Sequence, residues 1–375
     1  MDSLTDQINR CQNWLIDEAL PRWQPAQSPQ SGIFYEGLLA SGAAFSHDLV
    51  RFRVQPRQVY VFSHATELGL IEGGGSIKTA IERGFAQFGG PSTGYRFALS
   101  KHGDSDSEAI NLYEQAFALL GFAWHYKLSA SDSSLEAMET IYQQITHHFG
   151  DSEYGGFFLT KGNRVNKGQN PHMHLFEALM VSYEYTDDTI WLNRATQIYQ
   201  LFIKHFLQKD HLAEFFLADL TLDPVIGHHV DPGHHYEWIW LLNHYEKLTG
   251  VDVNRPIKML YKFAQRHGHN PNGLVRDEVY ADGNPLRSTS RLWCQTEYLK
   301  ATIALWEREP TKARQTAIDQ AIEQIFIHYI KPALPGLWID QVNELNQPIN
   351  PHSPASTFYH LFLAFSEVLR LAKEY

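Results

Sequence analysis

Apolar residues recur along most of the chain at the three- and four-residue spacing that places side chains on one face of an α-helix. This pattern predicts about twelve helical segments, with no alternating strand longer than a loop hairpin. A capping residue before proline marks two of the helix starts, at Asn170-Pro171 and Asp231-Pro232. The clearest apolar stripes are Leu112, Phe117, Leu120 and Trp124 in one segment and Leu292, Leu299, Ile303 and Trp306 in another.

A loop signature, glycine followed by apolar or aromatic residues, recurs between the helical segments. Its copies with glycine are Gly32-Ile33-Phe34, Gly94-Tyr95, Gly156-Phe157-Phe158, Gly273-Leu274-Val275 and Gly336-Leu337-Trp338. A degenerate copy, Glu214-Phe215-Phe216, takes the fourth place, and with Phe216 there the spacings are 62, 62, 60, 57 and 63 residues. A fixed period indicates a repeat architecture, here six pairs of helices. Such pairs stack as an open solenoid or close into a ring, and the spacing alone leaves both open.

Composition and charge limit what the protein can bind. Hydrophobic residues make up 43% and charged residues 19% of the chain, which fits a globular protein with a sizeable core. A net charge of −11 argues against nucleic acid and anionic membranes as partners. The sequence shows no membrane span or secretory signal, and two cysteines are too few for a disulfide scaffold. We therefore expect one cytoplasmic domain over residues 1–375, in which 9 Trp, 18 Tyr and 22 Phe can supply a pocket that stacks on sugar rings.

Candidate chemistry begins with two pairs, His174/Glu177 and His234/Glu237. Their three-residue spacing puts the imidazole and the carboxylate on one helix face. Both pairs fall in the first turns of predicted helices, where the helix dipole keeps a histidine neutral and able to act as a base. Six polar residues also follow one another at 56, 61, 60, 61 and 65 residues, so a closed ring would gather them at one end of its axis. These residues are Arg57, Tyr113, His174, His234, Gln295 and His360.

Five segments along nearly the whole chain match the motifs of one family, in order and at the proper spacing. They are Val54-Gln55-Pro56-Arg57, Tyr113-Glu114-Gln115-Ala116-Phe117, Asn170 to Glu177, Pro232 to Glu237 and Trp293-Cys294-Gln295-Thr296-Glu297. The chain thus resembles the N-acylglucosamine 2-epimerase family of sugar epimerases and aldose–ketose isomerases. This resemblance implies an all-α fold, an (α/α)6 barrel or six-hairpin toroid, with short β-hairpin loops at one end. It also implies a monosaccharide substrate and no cofactor.

The resemblance implies roles for the candidate residues. His360 would take the C2 proton of the sugar and return it to C1 through a cis-enediol. His234, oriented by Glu237, would open the sugar ring and move protons between O1 and O2. Arg57 would stabilise the developing enediolate charge. The residues that would hold the sugar are Tyr113, Asn170, His174, Glu177, Trp293 and Gln295.

The segment around His360 favours one branch of the family. Epimerase members commonly carry an arginine shortly after this histidine, and the present chain has none there. The run from Pro354 to His360 is more similar to the mannose isomerase branch, which favours conversion of D-mannose to D-fructose, with D-lyxose to D-xylulose as a further candidate. A 2-epimerase of the mannose/glucose or N-acylglucosamine type is the main alternative, and a non-catalytic sugar-binding protein is another. No cluster of Arg and Lys beyond Arg57 accompanies the candidate residues, which disfavours a phosphorylated sugar as the substrate. A homodimer is a candidate assembly.

Two rival chemistries remain to be weighed. The segment from His228 to His235 is rich in imidazoles, but neighbours on a helix diverge by about 100°, so His234 and His235 would not easily share one ion. We therefore predict no catalytic metal. A glycosidase needs two carboxylates facing each other across the scissile bond, whereas here each carboxylate accompanies a histidine.

Overall fold

The computed structural model describes residues 3–45, 48–72, 74–100, 105–350 and 352–372. In this part of the chain most residues are helical, as the apolar pattern predicts. The helices are α1 (Ser3–Asn13), α2 (Leu20–Trp23), α3 (Val54–Glu67), α4 (Gly75–Thr79), α5 (Leu112–Ser129), α6 (Asp132–Phe149), α7 (Gln169–Thr186), α8 (Thr189–Leu201), α9 (Pro232–Thr249), α10 (Asn254–His267), α11 (Leu292–Arg308), α12 (Lys312–Ile325) and α13 (Ala355–Leu371). Segments of π-helix at Trp14–Ala19, Ala80–Gly84, Phe202–Phe206 and Phe326–Ile330 join α1 to α2 and extend α4, α8 and α12. Short 3₁₀ turns lie at Phe85–Gln87 and Ser105–Glu108.

Six of the helices form a closed inner ring. In chain order α3, α5, α7, α9, α11 and α13 each pack against the next, and α13 packs against α3. Five outer helices, α4, α6, α8, α10 and α12, each pack against the inner helix that precedes them, and α1 packs against α13. The first helix of the chain therefore covers the last one, which closes the outer ring. The architecture is an (α/α)6 barrel, and the prediction of ring closure is confirmed.

The two rings differ in how their helices are buried. Inner helices are buried on almost every face because they contact both neighbours, an outer helix and the central axis. An outer helix such as α10 buries one stripe, Ile257, Leu260, Phe263 and Ala264, and presents polar residues elsewhere. One main hydrophobic core includes residues from Leu4 to Leu371. This continuity supports a single domain over residues 1–375, which stays a prediction. None of the described helices combines the length and apolar character needed to cross a bilayer.

Short antiparallel strands connect the loops at the end of the barrel where the inner helices begin. They are β1 (Gly37–Leu39), β2 (Leu49–Arg51), β3 (Gly89–Gly90), β4 (Gly94–Tyr95), β5 (Ala98–Ser100), β6 (Asn166–Gly168), β7 (Phe215–Leu217), β8 (His229–Val230), β9 (Glu278–Tyr280), β10 (Pro285–Arg287), β11 (Ser290–Arg291), β12 (Gln341–Val342) and β13 (His352–Pro354). Only β3–β4 and β9–β10, among the described pairs, are hairpins within one loop. The pairs β2–β5, β6–β7, β8–β9, β11–β12 and β13–β1 join five of the six neighbouring loop pairs, and an isolated bridge between Asn111 and Thr160 joins the sixth, so this end of the barrel is connected loop to loop around the ring.

A side chain near the start of each inner helix holds the preceding loop by hydrogen bonds to its backbone. The partners are Gln55 with Phe34, Gln115 with Tyr95, His172 with Phe157, His235 with Leu212, Gln295 with Val275 and Ser353 with Trp338, at 2.7–3.0 Å. These bonds fix each loop to the helix whose first turn it covers. We call these six side chains the loop anchors.

The loop anchors explain the glycine signature. In five loops the anchored backbone follows a glycine at φ of 72–88°, a left-handed conformation that residues with a Cβ rarely adopt. The fourth loop has no such glycine. Its anchored residue is Leu212, and neither Leu212 nor the residue before it has a positive φ. Phe216, placed there from the sequence, instead lies on β7 opposite Lys167 and several residues past the anchored position, so that assignment is wrong.

Helix starts follow the predicted capping in one case and not in the other. Asp231 is the N-cap of α9, where its side chain accepts a hydrogen bond from the N–H of Gly233 at 2.9 Å, and Pro232 is the first helical residue. Helix α7 begins one residue before Asn170, with Gly168 at the N-cap. The side chain of Asn170 is thereby left for the site described next.

Candidate active site

A cavity of about 410 Å³ opens at the end of the barrel where the inner helices begin. Each inner helix contributes at least one side chain from its first two turns, because the loop anchors hold those turns around the axis. The volume is suited to a small ligand such as one sugar ring. Predicted site residues that line the cavity are Arg57, Tyr113, Asn170, His174, His234, Glu237, Trp293 and His360.

His360 on α13 is held by a carboxylate. Its Nδ1 lies 2.8 Å from Oε1 of Glu297, and the other oxygen of Glu297 lies 2.7 Å from the ammonium of Lys300. With Nδ1 donating to Glu297, the unprotonated Nε2 is left for a ligand. Burial, followed by the positive charges of Arg57 and Lys300, holds the pKa of His360 well below its usual value. This imidazole is therefore neutral at pH 7 and able to accept a proton.

His234 on α9 is in the opposite charge state. Its Nδ1 lies 3.0 and 3.1 Å from the two oxygens of Glu214. Burial alone would lower its pKa, but the negative charges of Glu214 and Asp231 outweigh burial and raise the pKa to about 10. This imidazole is therefore protonated at pH 7 and able to donate a proton.

Trp293 lies between the two histidines. Its ring centroid is 5.2 Å from that of His234 and 5.6 Å from that of His360. An indole face beside an acid and a base offers an apolar surface to the C–H face of a sugar. The arrangement can remove a proton from carbon at one imidazole and supply a proton to oxygen at the other.

A second wall of the cavity presents hydrogen-bonding groups. Arg57 donates to the hydroxyl of Tyr113 at 2.7 Å and to the carbonyl of Ser356 at 3.2 Å. The buried Oδ1 of Asn170 has no protein partner among the described residues, and neither has the buried Nε of Arg57. Unsatisfied buried groups beside a cavity are expected to bind a ligand. Hydroxyls of a polyol supply both the donors and the acceptors that these groups need.

His174 and Glu177 form a hydrogen-bonded pair, as their spacing predicts. Nδ1 of His174 lies 3.2 Å from Glu177, which also accepts a hydrogen bond from the hydroxyl of Tyr359. Burial lowers the pKa of His174 to about 4, so the imidazole is neutral. Glu177 lies behind His174 and does not line the cavity. Its predicted contact with the sugar does not match this placement, because both of its oxygens are used by side chains of the barrel.

The predicted pairing of His234 with Glu237 is wrong. Nδ1 of His234 is taken up by Glu214 from the preceding loop, and Glu237 lines the cavity separately. Burial and repulsion from Glu297 hold the pKa of Glu237 well above its usual value. A protonated Glu237 can donate a hydrogen bond to a ligand oxygen, a role that the sequence does not indicate.

Gln295 does not reach the cavity. It is the loop anchor of α11, and its amide is used by the backbones of Val275 and Arg291. Counted from the loop anchors, the residue of α11 that corresponds to Arg57 and His174 is Glu297, two positions further along. The predicted contact of Gln295 with the sugar therefore does not match its placement.

Three important residues were missed from the sequence: Glu214, Glu297 and Lys300. Glu297 stands in the quoted segment Trp293 to Glu297, and Lys300 interrupts the apolar stripe of α11, so both carried a signal. Glu214 lies in a loop and was taken for part of the degenerate loop signature.

The cavity also contains more arginine than the sequence indicates. Arg51 and Arg291 line its outer part together with carboxylates. Arg51 is bonded to Glu36 at 2.8 and 3.0 Å, and Arg291 lies 3.8 Å from Asp277. Because these cations are matched by anions, the outer cavity is not a strongly positive site.

The described residues hold one group that could ligate a metal. Glu237, Glu297 and His360 offer ligand atoms within 4.8 Å of one another. The ammonium of Lys300 already supplies a positive charge to this group, at 2.7 Å from Glu297. His235, in the histidine-rich segment weighed above, is used as a loop anchor, while His228 and His229 pack against Tyr280.

The fold is a helical barrel, and its cavity is lined by two histidines, each held by a buried carboxylate. Comparison with known proteins agrees, since residues 32–364 match the N-acylglucosamine 2-epimerase family. The chain belongs to the N-acylglucosamine 2-epimerase family, and it is an enzyme of the sugar isomerase and epimerase class.

Three relatives illustrate the match. A mannose-6-phosphate isomerase of Rhizobium meliloti is 32% identical, with 96% of each chain covered. A crystal structure of D-mannose isomerase superposes with a TM-score of 0.85 at 20% identity, covering 98% of this chain and 97% of the other. Cellobiose 2-epimerase of Bacillus thermoamylovorans gives the same TM-score at 18% identity, covering 97% and 99%. The two structural matches bear on the fold alone.

The role of Gln295 as a loop anchor predicts a loss of stability without a loss of substrate binding. Gln295→Ala leaves the buried N–H and carbonyl of Val275 without partners, which should lower the free energy of unfolding by about 1–3 kcal/mol. Gln115→Ala is the matched control, since Gln115 makes the same bonds to Tyr95. Urea denaturation and KM measure the two effects. A rise in KM for Q295A that Q115A does not share would place Gln295 on the substrate.

Proposed function

We propose that the protein is an aldose–ketose isomerase that interconverts D-mannose and D-fructose, with D-lyxose and D-xylulose as the next pair of substrates. The observation that carries this proposal is the placement of two histidines on either side of Trp293, each with Nδ1 against a buried carboxylate. His360 is a neutral base held by Glu297, and His234 is a protonated acid held by Glu214. Isomerisation needs one base that addresses carbon and one acid that addresses oxygen.

The reaction follows from these states. His234 donates a proton to the ring oxygen as the sugar opens and then takes the O1 hydroxyl proton as the C1 aldehyde forms, which restores the protonated imidazole. Nε2 of His360 then takes the C2 proton, the C2–H electrons form the C1=C2 bond, and His234 protonates O1. The cis-enediol collapses when the O2 proton returns to His234 and His360 delivers its proton to C1. Arg57 and the protonated Glu237 stabilise negative charge on the sugar oxygens.

The alternative is a 2-epimerase, in which a second base removes or returns the C2 proton on the other face. His234 would have to act on carbon in its neutral form. Its pKa near 10 keeps the proton on at pH 7, which disfavours that role. The residues after His360 are also unsuited to the sugar, because Leu361, Phe362 and Leu363 are buried in the core.

A non-catalytic sugar-binding protein is less well supported. Binding needs Trp293, Asn170 and Arg57, but it has no use for two imidazoles held by buried carboxylates in opposite charge states. The name of the Rhizobium relative makes mannose 6-phosphate a further candidate. The matched charges of Arg51 and Arg291 in the outer cavity favour the neutral sugar.

The test is to incubate the purified protein with D-mannose and to measure D-fructose and D-glucose over time. We expect D-fructose as the main product and D-glucose slowly or not at all. D-glucose appearing as fast as D-fructose would replace isomerisation by epimerisation. Activity on mannose 6-phosphate alone would move the substrate to phosphorylated sugars.

A companion measurement concerns metal. Because the mechanism uses only side chains of this chain, the rate should survive exhaustive treatment with EDTA. A rate that disappears with EDTA and returns with added zinc or manganese would contradict the histidine mechanism and direct attention to Glu237, Glu297 and His360.

A further inference from the structure

Lys300 is a fully buried lysine beneath the cavity floor. Its side chain has no exposed surface, and its ammonium lies 2.7 Å from Glu297 and 4.2 Å from the centroid of the Trp240 ring. A buried ammonium is costly unless it is paired, so its presence at this depth calls for a reason. Lys300 does not line the cavity and cannot contact the sugar.

Three buried carboxylates act electrostatically on this ammonium. Glu297 lies on the same helix, Glu237 on α9 and Glu177 on α7, and all three keep the charged form of Lys300 favoured. Glu237 and Glu297 repel each other, so one of them must bind a proton unless a cation is close. The Lys300 ammonium lies against Glu297. Glu297 is also the carboxylate that accepts from Nδ1 of His360.

We infer that Lys300 is a positioning residue: its ammonium keeps Glu297 ionised, so that Glu297 accepts from Nδ1 of His360 and Nε2 remains free to take a proton from the sugar. This inference rests on the proposed function, in which His360 is the base. A protonated Glu297 would instead donate to Nδ1, place the imidazole hydrogen on Nε2 and remove the base from the sugar.

The direction of the effect follows from the surrounding charges. Burial raises the pKa of Glu297 above its usual value, and the charge of Lys300 limits that rise without reversing it. Burial lowers the pKa of His360, and Lys300 lowers it further. Loss of Lys300 therefore raises both pKa values, and both changes deplete the active form at low pH. The titratable and charged groups that face Lys300 and His360 are Arg57 on α3, His174 and Glu177 on α7, His234 and Glu237 on α9, Glu297 on α11 and Tyr359 on α13.

The variant Lys300→Met tests this role, because it keeps the side-chain length and removes the charge. We expect kcat at pH 7 to fall about 10²-fold, with KM for D-mannose little changed. The acid limb of kcat/KM against pH should move up by about one unit or more, so that activity partly returns at higher pH. Lys300→Arg keeps a cation beside Glu297 and should keep the acid limb near its original position.

A matched control separates this effect from loss of a buried ion pair. Lys167 is equally buried and paired with Asp151, outside the cavity. Lys167→Met should lower stability without moving the acid limb. An acid limb that stays in place in K300M, or that moves equally in K167M, would overturn the inference.

A double-mutant cycle keeps the test decisive if K300M folds poorly. Glu297→Gln and the pair K300M/E297Q remove one charge and both charges, and loss of both is expected to be tolerated better than loss of one. If Lys300 acts through Glu297, K300M should lower kcat little further in the E297Q background. Losses that multiply would show that Lys300 acts independently of Glu297.

An NMR titration separates this inference from the proposed function. The ring-proton signal of His360, assigned by its disappearance in H360N, should not titrate between pH 6 and 8 in the unmodified protein. In K300M the pH dependence of this signal should change. The measurement needs no substrate. If it does so while D-mannose is not converted, the proposed reaction fails and the role of Lys300 stands. If it does not change, the role of Lys300 fails.

Discussion

His360→Asn should lower kcat for D-mannose about 10²–10⁴-fold, the range that a positioned general base contributes. The asparagine amide can still donate to Glu297 in place of Nδ1, so the barrel should keep its fold. The proposed mechanism places Nε2 of His360 alone at the sugar carbon, which is why substitution should be severe. Initial rates of D-fructose formation, together with thermal unfolding, measure the two properties.

His172→Asn is the control for this prediction. His172 is also a buried imidazole near the start of an inner helix, but it is a loop anchor and does not line the cavity. H172N should lose stability and keep most of its kcat. If H360N kept more than about a tenth of the original rate, far above the expected loss, His360 would not be the base.

The second large effect concerns His234. His234→Asn keeps a donor for Glu214 but removes the proton that reaches the sugar oxygens, and kcat/KM should fall about 10²–10⁴-fold. The pH profile gives a further signature. Since the active form of His234 is protonated, activity should be present below its pKa of about 10 and lost as the pH rises through that value. H234N should lack this alkaline limb.

Glu214→Gln tests the cause of the raised pKa. It removes the nearer of the two negative charges and leaves Asp231 in place. The pKa of His234 should then fall, and the alkaline limb should move to lower pH. An alkaline limb that stays near pH 10 in both E214Q and H234N would belong to another group, and His234 would not be the acid.

The barrel could be predicted from the sequence because its causes repeat. A positive φ requires glycine at five of the six anchored loops, and each anchored loop precedes an inner helix, so the period of about 60 residues is visible as a pattern. Closure of the ring was expected because it would gather six polar residues, from Arg57 to His360, at one end of the axis, and because the family resemblance implied it. The pairing of strands between loops was missed, because two- and three-residue strands carry no alternation to detect.

The site was less predictable, for a geometric reason. Each helical residue turns the side chain by about 100°, so an error of two positions rotates it by about 200°. A period that varies by several residues cannot distinguish Gln295, a loop anchor, from Glu297, which holds His360. Glu214 reaches His234 from a loop, and no helical spacing predicts such a contact.

The most direct test of the account is to convert D-mannose deuterated at C2 and to examine C1 of the resulting D-fructose by NMR. One imidazole that moves a proton from C2 to C1 should carry some deuterium to a single position at C1, and exchange with water should remove the rest. Complete transfer without exchange would indicate a hydride shift. Complete loss of deuterium, with D-glucose formed as fast as D-fructose, would mean that a second base acts on carbon. A hydride shift or a second base would each contradict the mechanism in which His360 alone addresses carbon.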